Sequence, residues 1–195
     1  MKNVYEQCPI YETESFILRL VKLEDAEDLL ACYSDKDNVS KFNDDFCTSD
    51  FYYSTVSEME DCIKFWLEEY QNQYYVRFSV INKADRKAIG TVEIFGGEAG
   101  VLRIDLSSKN NTEESFGEIL KLAIEQFIDD FEIGSVKIKS SNIPEKINCL
   151  ESFGFIHSKT YRTEFGYHEY NVYVGDCYEK RIRNRKMRSC LLFVF

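Results

Sequence analysis

Apolar residues recur along this chain in two rhythms, and the switches between them mark its elements. Residues 15–21 hold Phe16, Ile17, Leu18, Leu20 and Val21 with Arg19 interrupting, which predicts a short strand. Residues 23–34 place Ala26, Leu29, Leu30 and Tyr33 on one helical stripe, with Glu24 and Asp25 in a first turn whose dipole suits acids. Met59, Ile63, Trp66, Leu67 and Tyr70 mark a second amphipathic helix. Residues 75–82, 88–95 and 101–107 read as three strands joined by turn-rich connections, an antiparallel meander. The strongest periodicity follows. Phe116, Ile119, Leu120, Ala123, Ile124, Phe127, Ile128 and Phe131 form one wide stripe on a long helix that must lie on a sheet. Asn111 and Glu114 stand three apart ahead of it as a capping-box-like pair.

Residues 135–140 predict another strand, and a short helix runs between Pro144 near its start and Gly154 past its end. Residues 155–165 and 169–175 then form a hairpin through Gly166, Tyr167 and His168. Residues 35–57 are polar and irregular. Their aromatics Phe42, Phe46, Phe51, Tyr52 and Tyr53 predict a loop or short helix that packs down, a bound ligand being one thing it would cover. A meander followed by a β-α-β unit requires a mixed sheet with the long helix as a right-handed crossover. The fold class is therefore α/β (α+β), with a mostly antiparallel sheet of about seven strands and about four helices.

Composition narrows the class of protein. With 195 residues and 44% hydrophobic content the chain can bury one sizeable core. Residues 1–14 are polar and carry acids, unlike a signal peptide, and no apolar run approaches a membrane span, so a cytoplasmic protein is expected. Seven scattered cysteines without a C-x-x-C pair argue against a disulfide scaffold and against a metal site. Of 24 basic residues, six lie in 180–195; the other 18 face 34 acids in residues 1–179. Such a body repels nucleic acid and favours a cationic partner. The single domain is expected over residues 1–179. The tail 180–195 has three readings: an edge strand paired most simply with a second copy in a homodimer, a membrane-surface segment, or sequence outside the natural domain.

Three stretches resemble the GNAT (N-acetyltransferase) superfamily, in particular the branch containing the ribosomal-protein N-terminal acetyltransferases. They are residues 16–33 (FILRLVKLEDAEDLLACY), residues 88–128 (AIGTVEIFGGEAGVLRIDLSSKNNTEESFGEILKLAIEQFI) and residues 136–155 (VKIKSSNIPEKINCLESFGF). The resemblance covers about residue 12 to about residue 178. It implies acetyl-CoA as co-substrate, an acceptor that is a small-molecule or peptide primary amine, and direct attack of that amine on the thioester. It also implies a cofactor site at Leu106, Ser107, Ser115, Phe116, Gly117, Glu118, Asn142 and Asn148. A pyrophosphate suits a helix N-terminus, where backbone N–H groups are free and the dipole is positive.

The family's phosphate loop has the form Gln/Arg-x-x-Gly-x-Gly/Ala. Residues 112–117 run Thr-Glu-Glu-Ser-Phe-Gly, so Gly117 keeps the last position, Ser115 replaces the middle glycine and Thr112 the basic residue. Leu150 stands where many relatives carry a Tyr that protonates the thiolate. These departures leave open a GNAT-fold binding or regulatory module that no longer uses acyl-CoA. Asp105 and Glu93 are the candidate proton acceptors, either facing the cofactor slot or turned to solvent, since Arg103 and Asp105 alternate with Leu102, Ile104 and Leu106. His157 is a further candidate on the acceptor side, while Tyr161, Tyr167, Tyr170 and Tyr173 are read as packing the last hairpin and His168 as an exposed turn residue. No Walker A, G-x-G-x-x-G, G-x-S-x-G or H-E-x-x-H motif occurs.

Overall fold

The computed structural model describes residues 3–42, 49–95, 99–163 and 166–174. They build one sheet with helices on both faces. In chain order the elements are β1 (Tyr11–Glu12), β2 (Phe16–Leu20), α1 (Ala26–Tyr33), α2 (Lys36–Val39), α3 (Val56–Gln71), β3 (Val76–Asn82), β4 (Ala88–Phe95) and β5 (Ala99–Leu106). Helix α4 (Glu113–Leu122) continues through a π turn (Ala123–Phe127) and a last turn (Ile128–Asp130); β6 (Ser135–Lys139), α5 (Ile147–Ser152), β7 (Ile156–Thr163) and β8 (Gly166–Val174) follow. The strand order is β1-β2-β3-β4-β5-β6-β8-β7, and β5–β6 is the parallel pair in an otherwise antiparallel sheet.

The predicted mixed α/β sheet is what forms, with eight strands and, among the described residues, five helices. The extra strand β1 has two residues, too few for any alternation to announce it. The last hairpin differs from the expectation: Gly166, Tyr167 and His168 are not its turn but the start of β8, opposite Thr163, Arg162 and Tyr161. The side chains of Tyr161, Tyr167 and His168, like Cys47, Cys177, Cys190, Phe46 and the 180–195 tail, lie outside the described residues. The capping residue of α4 also differs. A 3-10 turn at Ser108–Asn110 ties the Asn111 N–H to Ser107 O at 2.9 Å, so Thr112 becomes the N-cap and its Oγ1 accepts the Ser115 N–H at 3.1 Å.

One sheet face is apolar except at Asn171, buried opposite Ile138. Phe16, Leu18, Phe78, Val80, Val92, Ile94, Leu102 and Leu106 meet Phe116, Ile119, Leu120, Ala123 and Phe127 of α4. Phe78 stacks on Phe127 with ring centroids 5.5 Å apart, and Tyr11 closes on both rings. The opposite face meets Leu29, Cys32 and Tyr33 of α1 and Met59, Ile63 and Trp66 of α3. The described residues of 35–57 do pack down: Asp35 caps α2, and Phe42 and Phe51 are buried in this second core.

At Gly90 the backbone of β5 leaves no room for a side chain on β4. A Cβ there would lie 2.1 Å from Asp105 O and 2.8 Å from the Leu106 Cα, both backbone atoms that cannot step aside. Gly117 has ordinary room, its nearest atoms being Phe153 Cε2 at 3.4 Å and Cys149 Sγ at 3.5 Å. Gly90→Ala should therefore lose about 3 kcal/mol or more in urea unfolding. Gly117→Ala should change stability by no more than about 1 kcal/mol, since the helix gains what the glycine lacked. Equal losses at the two positions would contradict this packing.

Candidate active site

The parallel pair that defines the site is short. Ala99, Gly100 and Val101 face Ser135, Val136 and Lys137 in register; beyond them β5 runs on to Leu106 beside β4, while β6 ends at Lys139 beside Tyr170 of β8. The two strands thus diverge toward their C-terminal ends, next to the first turn of α4. Ser107 N–H donates to Ile89 O at 2.8 Å, which fixes the alternation of the antiparallel β4–β5 ladder. Arg103 and Asp105 turn their backbone groups to β4, and Ile104 and Leu106 turn theirs to the gap.

A segment of the second core bridges that gap. Asn38 Nδ2 donates to Leu106 O at 2.8 Å, and Phe42 O accepts from Asn142 Nδ2 at 3.0 Å. Lys41 approaches Glu145 at 4.0 Å. Residues 38–42 therefore join the end of β5 to the loop after β6. Neither Asn38 nor its reach across 68 positions to Leu106 carries any local signal in the sequence.

The predicted cofactor residues sort by position. Leu106, Ser107, Ser115 and Asn142 flank the opening. Phe116 and Gly117 are buried beneath it, Gly117 against Phe153 and Cys149. Glu118 reaches the other way, accepting the Ser15 N–H at 2.7 Å, and with Ser115, Glu114, Asn110 and Lys83 lines a cavity of about 410 Å³ beside α4. Asn148 is exposed on α5. Of the first-turn N–H groups of α4, that of Ser115 is taken by its cap, leaving those of Glu113 and Glu114 without a helical partner. Lys146, which sequence reasoning passed over as part of a helix start, lies here: its Nζ donates to Asn111 O at 3.0 Å. Leu150 points into the core beneath α4 and offers the slot nothing.

The carboxylates do not face solvent. Glu93 and Asp105 are each 1% exposed on the α1–α3 side of the sheet. Register sets Arg77, Glu93 and Arg103 side by side on β3, β4 and β5, and Ser79, Thr91 and Asp105 in the next row. Glu93 accepts from both Arg77 and Arg103. Arg77 Nη1 also donates to Thr91 Oγ1 at 3.1 Å and lies 3.5 Å from Asp105, while the guanidinium covers the Trp66 ring at 4.4 Å. Burial pulls the Arg77 guanidinium down; Glu93, then Tyr33 and Asp105, outweigh it and hold the group above its ordinary value. Tyr33 donates to or accepts from Thr91 Oγ1 at 2.7 Å, and burial pushes its phenol well up. At the far end Asp25 takes a bidentate Arg19, Ser79 Oγ and the Lys22 N–H; burial pushes its carboxyl up, but these partners together hold it below its ordinary value. His157, by contrast, is exposed on the edge strand β7, separated from the gap by β8 and β6. Tyr170 is buried and Tyr173 packs on Phe155 at 5.5 Å, so these two do pack the last hairpin.

No protein-family model and no curated protein matches this sequence. Solved structures do. The ribosomal-protein-S5-alanine acetyltransferase of Vibrio fischeri superposes with a TM-score of 0.66 at 16% identity, over 87% of this chain and 98% of that one. The ribosomal L7/L12 α-N-protein acetyltransferase RimL, in complex with coenzyme A, gives 0.68 at 12% identity over 86% and 99%. A GCN5-related N-acetyltransferase of Brucella melitensis gives 0.69 at 17% over 85% and 78%. The chain thus has the GNAT acetyltransferase fold. Within that fold its structural neighbours include the ribosomal-protein acetyltransferases. No helix among the described residues is long and apolar enough to cross a membrane.

Two outcomes follow from the buried row. Glu93→Gln leaves two guanidiniums without their shared counter-charge and should cost about 3–5 kcal/mol in urea unfolding; a loss under about 1 kcal/mol would mean the row contributes little. Asp25, held below its unfolded value, stabilises the fold above about pH 4 and loses that contribution as pH falls through its folded value. Asp25→Asn should therefore flatten the stability–pH curve on the acid side, measured by denaturation between neutral and acid pH.

Proposed function

We propose that this chain is an acetyl-CoA-dependent N-acyltransferase whose acceptor is a primary amine, at a protein N-terminus or on a small cationic molecule. The observation that carries the reading is the divergence of β5 from β6 beside the first turn of α4. The neighbours that are ribosomal-protein acetyltransferases, RimL an α-N-protein one, favour a peptide acceptor, and we place the reaction in the cytoplasm.

Acetyl-CoA supplies the activated acyl carbon as a thioester. The amine nitrogen forms the new C–N bond, the C–S bond breaks and the sulfur departs as thiolate. In this reading the free N–H groups of Glu113 and Glu114 and the hydroxyls of Ser107 and Ser115 receive the diphosphate. The backbone of Ile104 and Leu106 and the amides of Asn142 and Asn148 hold the pantetheine arm as a strand edge holds an added strand. Phe116 and Gly117 support the turn from below, and Glu118 anchors α4 to the start of β2. Asp105 accepts the amine proton directly or through a water. Glu93 is a positioning residue: two guanidiniums occupy its carboxylate oxygens, and through Arg77 it fixes the charge beside Asp105. The thiolate takes its proton from solvent, since Leu150 has none to give.

A second reading, a binding module without acyl-CoA, is favoured by two observations. The carboxylates of Glu113 and Glu114 stand exposed in the first turn, and Asn38 already holds the Leu106 carbonyl. One titration separates the two. Acetyl-CoA at saturating concentration should raise the melting temperature of the protein by mass action, with Asp105→Asn still binding but turning over at least about 100-fold more slowly. No shift at millimolar acetyl-CoA would reject the enzyme in favour of the module. An Asp105→Asn variant with full turnover would remove Asp105 as proton acceptor.

A further inference from the structure

We propose that Lys146, on the turn that opens α5, is the cation that receives the diphosphate of the acyl-CoA, in place of the basic residue missing at Thr112. The proposal rests on the acyl-CoA reading above and adds to it a ligand-binding residue.

The case is one of misplaced charge. Lys146 is 4% exposed, and its one described hydrogen bond runs to a neutral carbonyl, Asn111 O, at 3.0 Å. Asn111 directly precedes the cap of α4, so the ammonium sits at the positive end of that helix dipole, where a cation is disfavoured. Cys149 Sγ, one turn further along α5, lies 4.0 Å from Glu113 O and keeps this face of α5 against the first turn of α4. The nearest carboxylates, Glu145 and Glu113, are not within ion-pair distance among the described contacts, and Lys41 adds a second positive charge nearby. Burial accordingly pulls the Lys146 amine below its ordinary value. Its ammonium lies over the Phe116 ring, 5.5 Å from Nζ to the centroid, a contact that helps hold the charge in place. A buried cation at a helix N-terminus relieves both penalties when an anion arrives. The ammonium has two N–H groups beyond the one given to Asn111, and the N–H groups of Glu113 and Glu114 are free beside it. A diphosphate matches that set.

The loop sequence explains why a distant residue is needed. With Glu113 and Glu114 in the first turn, the backbone alone faces two like charges when a diphosphate approaches. A cation brought in from α5 offsets them, and Lys146 is the one that the packing of α5 on α4 delivers.

The test is calorimetric titration of the whole chain with CoA and with pantetheine, which has the arm but no diphosphate, the latter read by displacement of CoA. Lys146→Met should weaken CoA binding by about tenfold or more, the range of a charge-assisted hydrogen bond. Pantetheine affinity should stay unchanged, and Lys146→Arg should keep most of the CoA affinity. Lys121→Met removes an equal charge from an exposed position further along α4 and should change neither. An unchanged CoA affinity in Lys146→Met overturns the proposal. So does an equal loss for CoA and pantetheine, which would mark Lys146 as packing alone. A wild-type protein that binds pantetheine and CoA equally also overturns it, whereas one that binds neither rejects the acyl-CoA reading beneath it.

Discussion

The candidate site exists because β5 and β6 stop pairing after three residues. Each strand is held by its other neighbour beyond that point, β5 by β4 as far as Leu106 and β6 by β8 as far as Lys139. The backbone groups turned toward the gap cannot go without partners inside a protein. One of them, the Leu106 carbonyl, is met by a side chain from another element, Asn38. In the proposed function this opened sheet edge receives the extended, amide-bearing arm of the acyl-CoA, and the first turn of α4 beside it receives the charged end.

The two faces of the sheet divide the labour. Against α4 the sheet packs a large apolar cluster, which fixes the long helix and therefore its N-terminus. Against α1 and α3 the sheet carries ionic rows: Arg77, Glu93 and Arg103 in one, Arg19 with Asp25, Ser79, Thr91 and Asp105 in the other. Buried charges of this kind contribute little net stability relative to a greasy core. What they supply is orientation, since each carboxylate is held by partners whose positions are set by register. The chemistry proposed for Asp105 depends on that rigidity.

Much of the fold was legible because its signals are local. The stripe from Phe116 to Phe131 and the three alternating segments before it sufficed to name the layers, and the β-α-β connection required one parallel pair. Boundaries failed where a competing local bond intervened: the 3-10 turn after Ser107 moved the cap of α4 from Asn111 to Thr112. The turn of the last hairpin failed because a glycine marks a strand start as readily as a turn. The π turn within α4 left no mark at all, since the apolar residues satisfy either winding.

What the sequence determined by itself was the order and type of the elements, and the chemical character of the loop at residues 112–117, acidic where a basic and glycine-rich one was expected. It also determined that Asp105 and Glu93 sit on central strands. Tertiary structure alone decided that both are buried, that Glu93 lies between two arginines, and that Lys146 reaches the loop across 35 positions of chain. The reason is physical. Periodicity records which way a side chain points from its own element, whereas its neighbours depend on lateral register, strand twist and the docking of one helix on another, which the whole chain sets together.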